Sequence, residues 1–456
     1  MILYLFILVV FTVLALKNWS KAVLLWMPFQ ILINAGVCLK YSSPSVSLVL
    51  AVDTMFLMLY LIRKPKNVNR QGSYFFNTAF KIYLVSYAVS ILFSILPFTQ
   101  VLTGTIKYFI ETFIMVYLFQ LAVRSMEDIR TVIKYAFIVS IIIVSLGAYE
   151  SITHSNPWLD YVWLNTPDKT LLEGKIYYTP LDLKIDPESG IRYGLLRCYS
   201  TFGIHIDFGC ACVLLMLLFL FVLKYKNILK IKSSHAFIIC GALAVGVLLS
   251  NSKTPIIGLL LFPLAAIGPK ELFKARYFFL IIAALVVVFV FMPEYLTIVQ
   301  SLFDNKLAEE AGGSSLKLRE KQLEVGLQMF YQNPLFGNGI DSLSVLGQKG
   351  IGKNILGAES SWLKILPERG LLGVIAYLIL YFEMFSKLRR YYDLRFVTLF
   401  LLGLGLMETA TGFMSFSLYG MIVVLLYRFA QFKQSQLGYL PNKRLNSNLK
   451  SNRSYE

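Results

Sequence analysis

A few ionisable residues stand out from an otherwise apolar chain by type and position. Arg192 and Arg197 precede a long apolar run, and His205 and Asp207 fall within its first turns. Lys253 lies in a polar turn, Ser250-Asn-Ser-Lys-Thr-Pro255, Arg319 lies in a polar stretch, and Glu359 opens Glu-Ser-Ser-Trp-Leu. Glu408 ends an apolar run beside Thr409 and Thr411. Gathered cations suit a diphosphate, because arginine binds phosphate oxygens through paired hydrogen bonds. A carboxylate beside them could deprotonate an attacking hydroxyl from about 2.6–3.2 Å. Ionisable groups inside a membrane span are costly and carry function by default. For His205 and Asp207 two readings stand: a functional site, or a pair that neutralise each other near the interface. Glu408 is either a partner of one of the arginines or a second polar wall.

A membrane must position these residues. The 456-residue chain is 57% hydrophobic and 15% charged, against roughly 45–50% and about 25% in soluble domains. A helix needs roughly 20 apolar residues to cross about 30 Å of hydrocarbon. Candidate spans cover 1–16, 21–39, 46–62, 78–97, 101–123, 132–149, 201–223, 236–250, 254–268, 277–292, 362–386, 396–408 and 413–430. The expected fold is an all-α integral membrane protein of about 12 or 13 transmembrane helices with two long outer loops. Residues 1–16 have no basic residue before them and no small-residue cleavage site, so they read as a span rather than a removable signal. Residues 394–430 also admit one span plus a re-entrant piece around 409–413.

Charge fixes the sides. More than half of the 43 Lys and Arg crowd into short segments at 17–21, 63–81, 124–134, 224–232, 270–276 and 387–395 and the tail from Arg428. That alternation follows the positive-inside bias, which accounts for the net charge of +17 without nucleic acid. The expected division is N-terminal spans 1–149, a first outer loop 150–200, central spans 201–292, a second outer loop 293–361, C-terminal spans 362–430 and a disordered cytoplasmic tail 431–456. Cys38, Cys198, Cys210, Cys212 and Cys240 lie in or beside apolar runs without metal-ligand spacing, as small buried hydrophobes do. No metal or cofactor is expected.

The second outer loop predicts an amphipathic helix. Ser314 or Ser315 would cap it, Leu316, Leu323, Leu327 and Phe330 recur at helical spacing, and Asn333-Pro334 stops it. Arg319, four residues before Leu323, stands at the border of that apolar face, where a snorkelling arginine is an equally physical reading. Gly337-Asn338-Gly339 predicts a tight turn and Glu368-Arg369-Gly370 a bend before the next span. Trp158, Trp163, Tyr177, Tyr178 and Trp362 could stack on sugar rings or simply sit at the interface, where such residues are enriched.

In order, these motifs resemble a known family. They are Arg197 before Thr-Phe-Gly-Ile-His-Ile-Asp-Phe-Gly209, Ser250-Asn-Ser-Lys253, Arg319 before Asn-Pro-Leu-Phe-Gly-Asn-Gly339, and Glu359-Ser-Ser-Trp-Leu with Leu-Pro-Glu-Arg-Gly-Leu-Leu-Gly373. Over about residues 190–385 the chain resembles the O-antigen ligase and O-antigen polymerase superfamily of bacterial membrane glycosyltransferases. The resemblance implies a GT-C-like architecture and metal-independent transfer at the periplasmic face of the inner membrane. The implied donor is an oligosaccharide on undecaprenyl diphosphate and the acceptor a growing glycan, lipid A core or protein. A flippase and a chain-length regulator are the partners it implies. It assigns Arg197 and Arg319 to the diphosphate leaving group and puts Lys253 where many members have Arg. Glu359 stands where ligases have His, which moves the expectation from ligase towards repeat-unit polymerase. Arg192, Lys253, His205 and Glu408 are expected to bind substrate, and Glu359, Arg319 and Arg197 to act in catalysis.

A flippase is the rival reading. It predicts pseudo-symmetric halves, short outer loops and mid-span charges, whereas this chain shows no internal repeat and gathers its charges at the outer mouth. Nucleotide-binding P-loop, serine-hydrolase and zinc-protease signatures do not occur in the sequence.

Overall fold

The computed structural model describes residues 2–33, 36–40, 45–63, 74–167, 191–192, 195–268, 316–340, 342–343, 360–411 and 416–436. The expected span at 277–292, Glu359, Tyr177, Tyr178, the capping Ser314 and Ser315 and the tail beyond 436 lie outside the described residues, as do the side chains of Arg192 and Arg319.

Apolar sequence gives long helices: α1 (Ile2–Phe29), α2 (Leu48–Arg63), α3 (Asn77–Leu92), α4 (Phe98–Ala122), α5 (Met126–Thr153), α6 (Pro157–Asn165), α7 (His205–Lys224), α8 (Ser233–Leu249), α9 (Lys253–Ala266), α10 (Leu316–Gln332), α11 (Ser361–Leu388), α12 (Leu394–Ala410) and α13 (Phe416–Gln436). The only strands among the described residues form two short antiparallel hairpins, β1 (Cys38–Lys40) with β2 (Val46–Ser47) and β3 (Ile191–Arg192) with β4 (Leu195–Leu196). Among the described residues, five stretches are long and apolar enough to cross a membrane: Ile2–Leu32, Phe98–Ala122, Met126–Thr153, His205–Lys224 and Ser361–Leu388. α8 and α9 are shorter apolar helices. The chain is an all-α integral membrane protein.

The first of these stretches is two arms rather than one rod. Asn18 leaves helical geometry (φ −151°, ψ 92°), and its Oδ1 accepts from the Lys21 N–H at 3.1 Å, capping the second arm. The Phe11 ring lies 4.8 Å from Trp26 and 5.4 Å from Phe29. In a straight helix, positions 11 and 26 would stand about 22 Å apart at 1.5 Å per residue. The arms therefore run antiparallel, matching the expected spans 1–16 and 21–39, but the second ends at Phe29 and gives way to β1 at Cys38. At the other end of the chain, α12 and α13 are two separate helices rather than a span and a re-entrant piece. Helix α13 continues to Gln436, so the first six residues of the expected tail are helical.

α7 is apolar on every side and almost wholly buried, as a bundle's central helix must be. It packs against α8 and α9, α9 packs against α12, and α11 against α3 and α10. Antiparallel neighbours bring particular ends together. A Cβ on Gly246 would meet Cys212, one on Gly258 would meet Val213 and Met407, and one on Gly403 would meet Phe262. The start of α7, the end of α8, the start of α9 and the end of α12 thus share one end of the bundle.

The opposite end is tied by ions. Glu383 on α11 accepts from the Thr78 and Ala79 N–H groups at 3.1 and 2.8 Å, satisfying orphan donors of α3. Lys387 pairs with Glu383 at 2.7 Å and donates to the Tyr74 and Phe75 carbonyls. Glu383→Ala removes this acceptor from a buried site, so stability should fall by about 2–3 kcal/mol. A lower unfolding midpoint of the detergent-solubilised variant, partly restored in Glu383→Gln, checks it.

Candidate functional site

One half of the shared end is built around Glu150 near the end of α5. Its Oε2 accepts from the Asn156 side chain at 2.8 Å, the Tyr199 N–H at 2.9 Å and the Ser200 N–H at 2.8 Å. Asn156 caps α6 through Oδ1 and also donates to the Ser200 carbonyl at 2.7 Å. Ser200 adopts a left-handed backbone (φ 55°), and its hydroxyl donates to Ile143 O at 2.6 Å. Residues 198–200 are thereby fixed before α7 begins.

The same segment is joined to the turn ahead of α9. Cys198 N–H donates to Leu249 O at 3.0 Å, and the Asn251 side chain donates to Leu195 O at 3.1 Å. A Cβ on Gly209 would stand 2.5 Å from both Pro255 and Ser250 Oγ, so only glycine lets α7 approach this turn. Arg197, half-buried, and Lys253, the first residue of α9, consequently occupy the same end. The His205 ring stands edge-on to Tyr199, with centroids 5.6 Å apart. Burial pushes the Tyr199 hydroxyl up to about 12, against the pull of the Arg197 guanidinium beside it.

The other half joins two sequence motifs. Asn333-Pro-Leu-Phe-Gly-Asn-Gly339 lies along Pro367–Leu372, where Gly370 breaks α11 with φ 60° and ψ −158°. Asn338 N–H donates to Pro367 O at 2.9 Å and Gly339 N–H to Glu368 O at 3.0 Å, while Leu371 N–H donates to Pro334 O at 2.9 Å and Leu372 N–H to Leu335 O at 3.2 Å. The Asn338 side chain adds bonds to Met329 O and Pro367 O at 2.8 and 3.1 Å. From α3, Ser90 Oγ donates to Glu368 O at 2.9 Å. A Cβ on Gly337 or Gly370 would come within 2.3 or 2.6 Å of the facing backbone. The glycines permit the interlock, which fixes α10 on α11.

The break also sets Arg369 inside the bundle, 6% exposed, with its guanidinium 5.1 Å from the Tyr83 ring centre and 4.6 Å from that of Tyr87. Guanidinium–aromatic contacts of this kind are favourable. Glu408, buried near the end of α12, accepts from Tyr381 Oη at 2.9 Å.

The predicted residues fall into separate groups. Arg197, His205 and Lys253 share one end of the bundle, with Glu408 near the end of α12 at that same end. Arg192 lies in β3, paired with Leu195, and Arg319 in the first turns of α10. Glu359 precedes the described start of this motif at Ser360. The buried face of α10 is Gln322, Val325, Gly326 and Met329, whereas Leu323 is exposed and Leu327 and Phe330 only half-buried. The expected helix is present; its docked face is partly polar, and part of the apolar stripe is left outside the protein core. Sequence reading missed Glu150 entirely and saw Arg369 only as part of a bend. No local signal links Glu150 to residues 49 and 50 positions away.

The fold and site define a multi-helix membrane bundle with a polar end built from these motifs, and part of it matches a known family. Residues 235–378 match the family model described as O-antigen ligase, so this part of the chain is similar to that family. The matched stretch includes Lys253, Arg319, Glu359, Arg369 and Tyr377 and excludes Arg197, His205 and Glu408. The family indicates an O-antigen ligase or polymerase type of function in surface polysaccharide biosynthesis, with a lipid-linked oligosaccharide as substrate. No curated protein matches the chain.

Proposed function

We propose that the chain polymerises oligosaccharide repeat units carried on polyprenyl diphosphate, at the periplasmic face of a bacterial inner membrane. The observation that carries this reading is the interlock of residues 333–339 with residues 367–372. It holds α10, which bears Arg319, against α11, whose lead-in bears Glu359, at the end where Arg197 and Lys253 also stand. An acceptor sugar hydroxyl attacks the anomeric carbon of the donor, and Glu359 takes its proton. The bond from that carbon to the diphosphate oxygen breaks, and Arg197, Arg319, Lys253 and Arg192 balance the charge that develops on the leaving group. His205 and Glu408 contact the glycan. Removing one such preorganised donor costs about 10²–10³-fold in rate. Arg319→Ala should slow chain extension by that much, and Glu359→Gln should abolish it with expression intact. Normal glycan length in either variant removes that residue from the mechanism.

The family description favours a second reading, ligation of finished glycan to an acceptor. A deletion strain separates them on a gel. A single repeat unit left on the lipid marks a polymerase, lipid-linked polymer left unattached marks a ligase, and precursor trapped on the cytoplasmic side marks a flippase.

A further inference from the structure

The cluster around Arg369 includes none of the cations assigned above to the diphosphate. Arg369 Nη1 and Tyr377 Oη are both buried with no hydrogen-bond partner among the described residues. Arg369 is 6% and Tyr377 4% exposed. Native proteins rarely leave such groups unmatched, and each instance calls for an explanation. The two residues lie on α11 on either side of Gly373, whose Cβ position would be only 2.3 Å from Arg369 Cβ. The Tyr377 ring stands edge-on to Trp362 at 4.6 Å and lies 5.2 Å from Tyr381, the tyrosine that donates to Glu408. Tyr83 is close enough to interact electrostatically with both Arg369 and Glu408.

The cluster offers two unmatched donors, a buried carboxylate and several aromatic rings. A diphosphate is a poor fit, because one guanidinium would face it in the company of Glu368, which interacts with Arg369, and Glu408. A neutral polyol fits: its oxygens accept from Arg369 and Tyr377, a hydroxyl donates to a carboxylate, and its C–H face lies on aromatic carbon. We propose that Arg369, Tyr377 and the Tyr381–Glu408 pair, flanked by Trp362 and Tyr83, form a subsite for a neutral sugar ring of the lipid-linked glycan. The identity of the glycan rests on the polymerase reading; the sugar chemistry rests on the cluster.

The test is equilibrium binding to the purified full chain in detergent, by calorimetry. The probes are the repeat-unit oligosaccharide freed by mild acid from the host's lipid-linked precursor, and inorganic diphosphate. Tyr377→Phe deletes one hydroxyl and should weaken oligosaccharide binding about 3- to 10-fold, and Arg369→Lys about 10- to 100-fold. Neither should change diphosphate binding. Unchanged oligosaccharide affinity in Tyr377→Phe overturns the subsite, as does absence of oligosaccharide binding by the wild-type chain. Loss of diphosphate binding in Arg369→Lys overturns it by making the cluster an anion site. Binding is read without turnover. Retained, Tyr377-dependent oligosaccharide binding in a protein whose deletion leaves polymer length unchanged therefore supports the subsite and overturns only the polymerase reading.

Discussion

Gly370→Ala should destabilise the chain by about 3–5 kcal/mol and abolish glycan transfer. The backbone at this residue (φ 60°, ψ −158°) lies in a region essentially reserved for glycine, where a side chain costs about 1–3 kcal/mol. The added Cβ would also stand 2.6 Å from the Leu335 carbonyl carbon and 2.7 Å from its oxygen and from Phe336 N, all backbone atoms. Forcing such an overlap apart costs a further 1–3 kcal/mol or about that. The bonds from Leu371 and Leu372 to the facing loop would part, freeing α10 from α11 and turning Arg369 out of its tyrosine contacts. Thermal unfolding in detergent and glycan length in a complemented deletion strain measure the two effects. Gly241→Ala is the control, since a Cβ there meets nothing within 4 Å. In a helix interior it should be neutral or stabilise by about 0.5–1 kcal/mol. Equal behaviour of the two variants would show that the interlock does not govern the site.

Glu150→Ala is the second large effect. The carboxylate gathers three donors from Asn156, Tyr199 and Ser200, all buried. Hydrogen bonds to a charged group contribute about 1.5–3 kcal/mol each, and buried donors left unmatched carry a full desolvation cost. A loss of about 3–5 kcal/mol is expected, with activity falling through misplacement of Arg197 rather than through chemistry at Glu150. Glu150→Gln keeps one acceptor oxygen but brings an NH₂ towards the same donors, so its stability should lie between wild type and alanine. A Glu150→Ala protein that melts with the wild type would show that residues 198–200 are held from elsewhere.

What the sequence determined by itself is local. Apolar run length set the helices, the basic segment 17–21 and Glu368-Arg369-Gly370 marked breaks between them, and the order of motifs pointed to the family that residues 235–378 match. Only the tertiary structure decided which faces meet. On α10 the hydrophobic pattern singled out Leu323, Leu327 and Phe330, yet Gln322, Val325, Gly326 and Met329 are the residues buried. For the spanning helices the physical reason is the solvent. Lipid tails are as apolar as leucine, so an apolar face has no preference for protein over bilayer, and packing is decided by small residues and buried polar bonds. Those bonds join distant parts of the chain: Glu150 to Tyr199 and Ser200, Asn338 to Pro367, Arg369 to Tyr83 and Tyr87. Periodicity carries no information about such pairs, because each partner looks unremarkable within its own helix until the bundle brings it against the other.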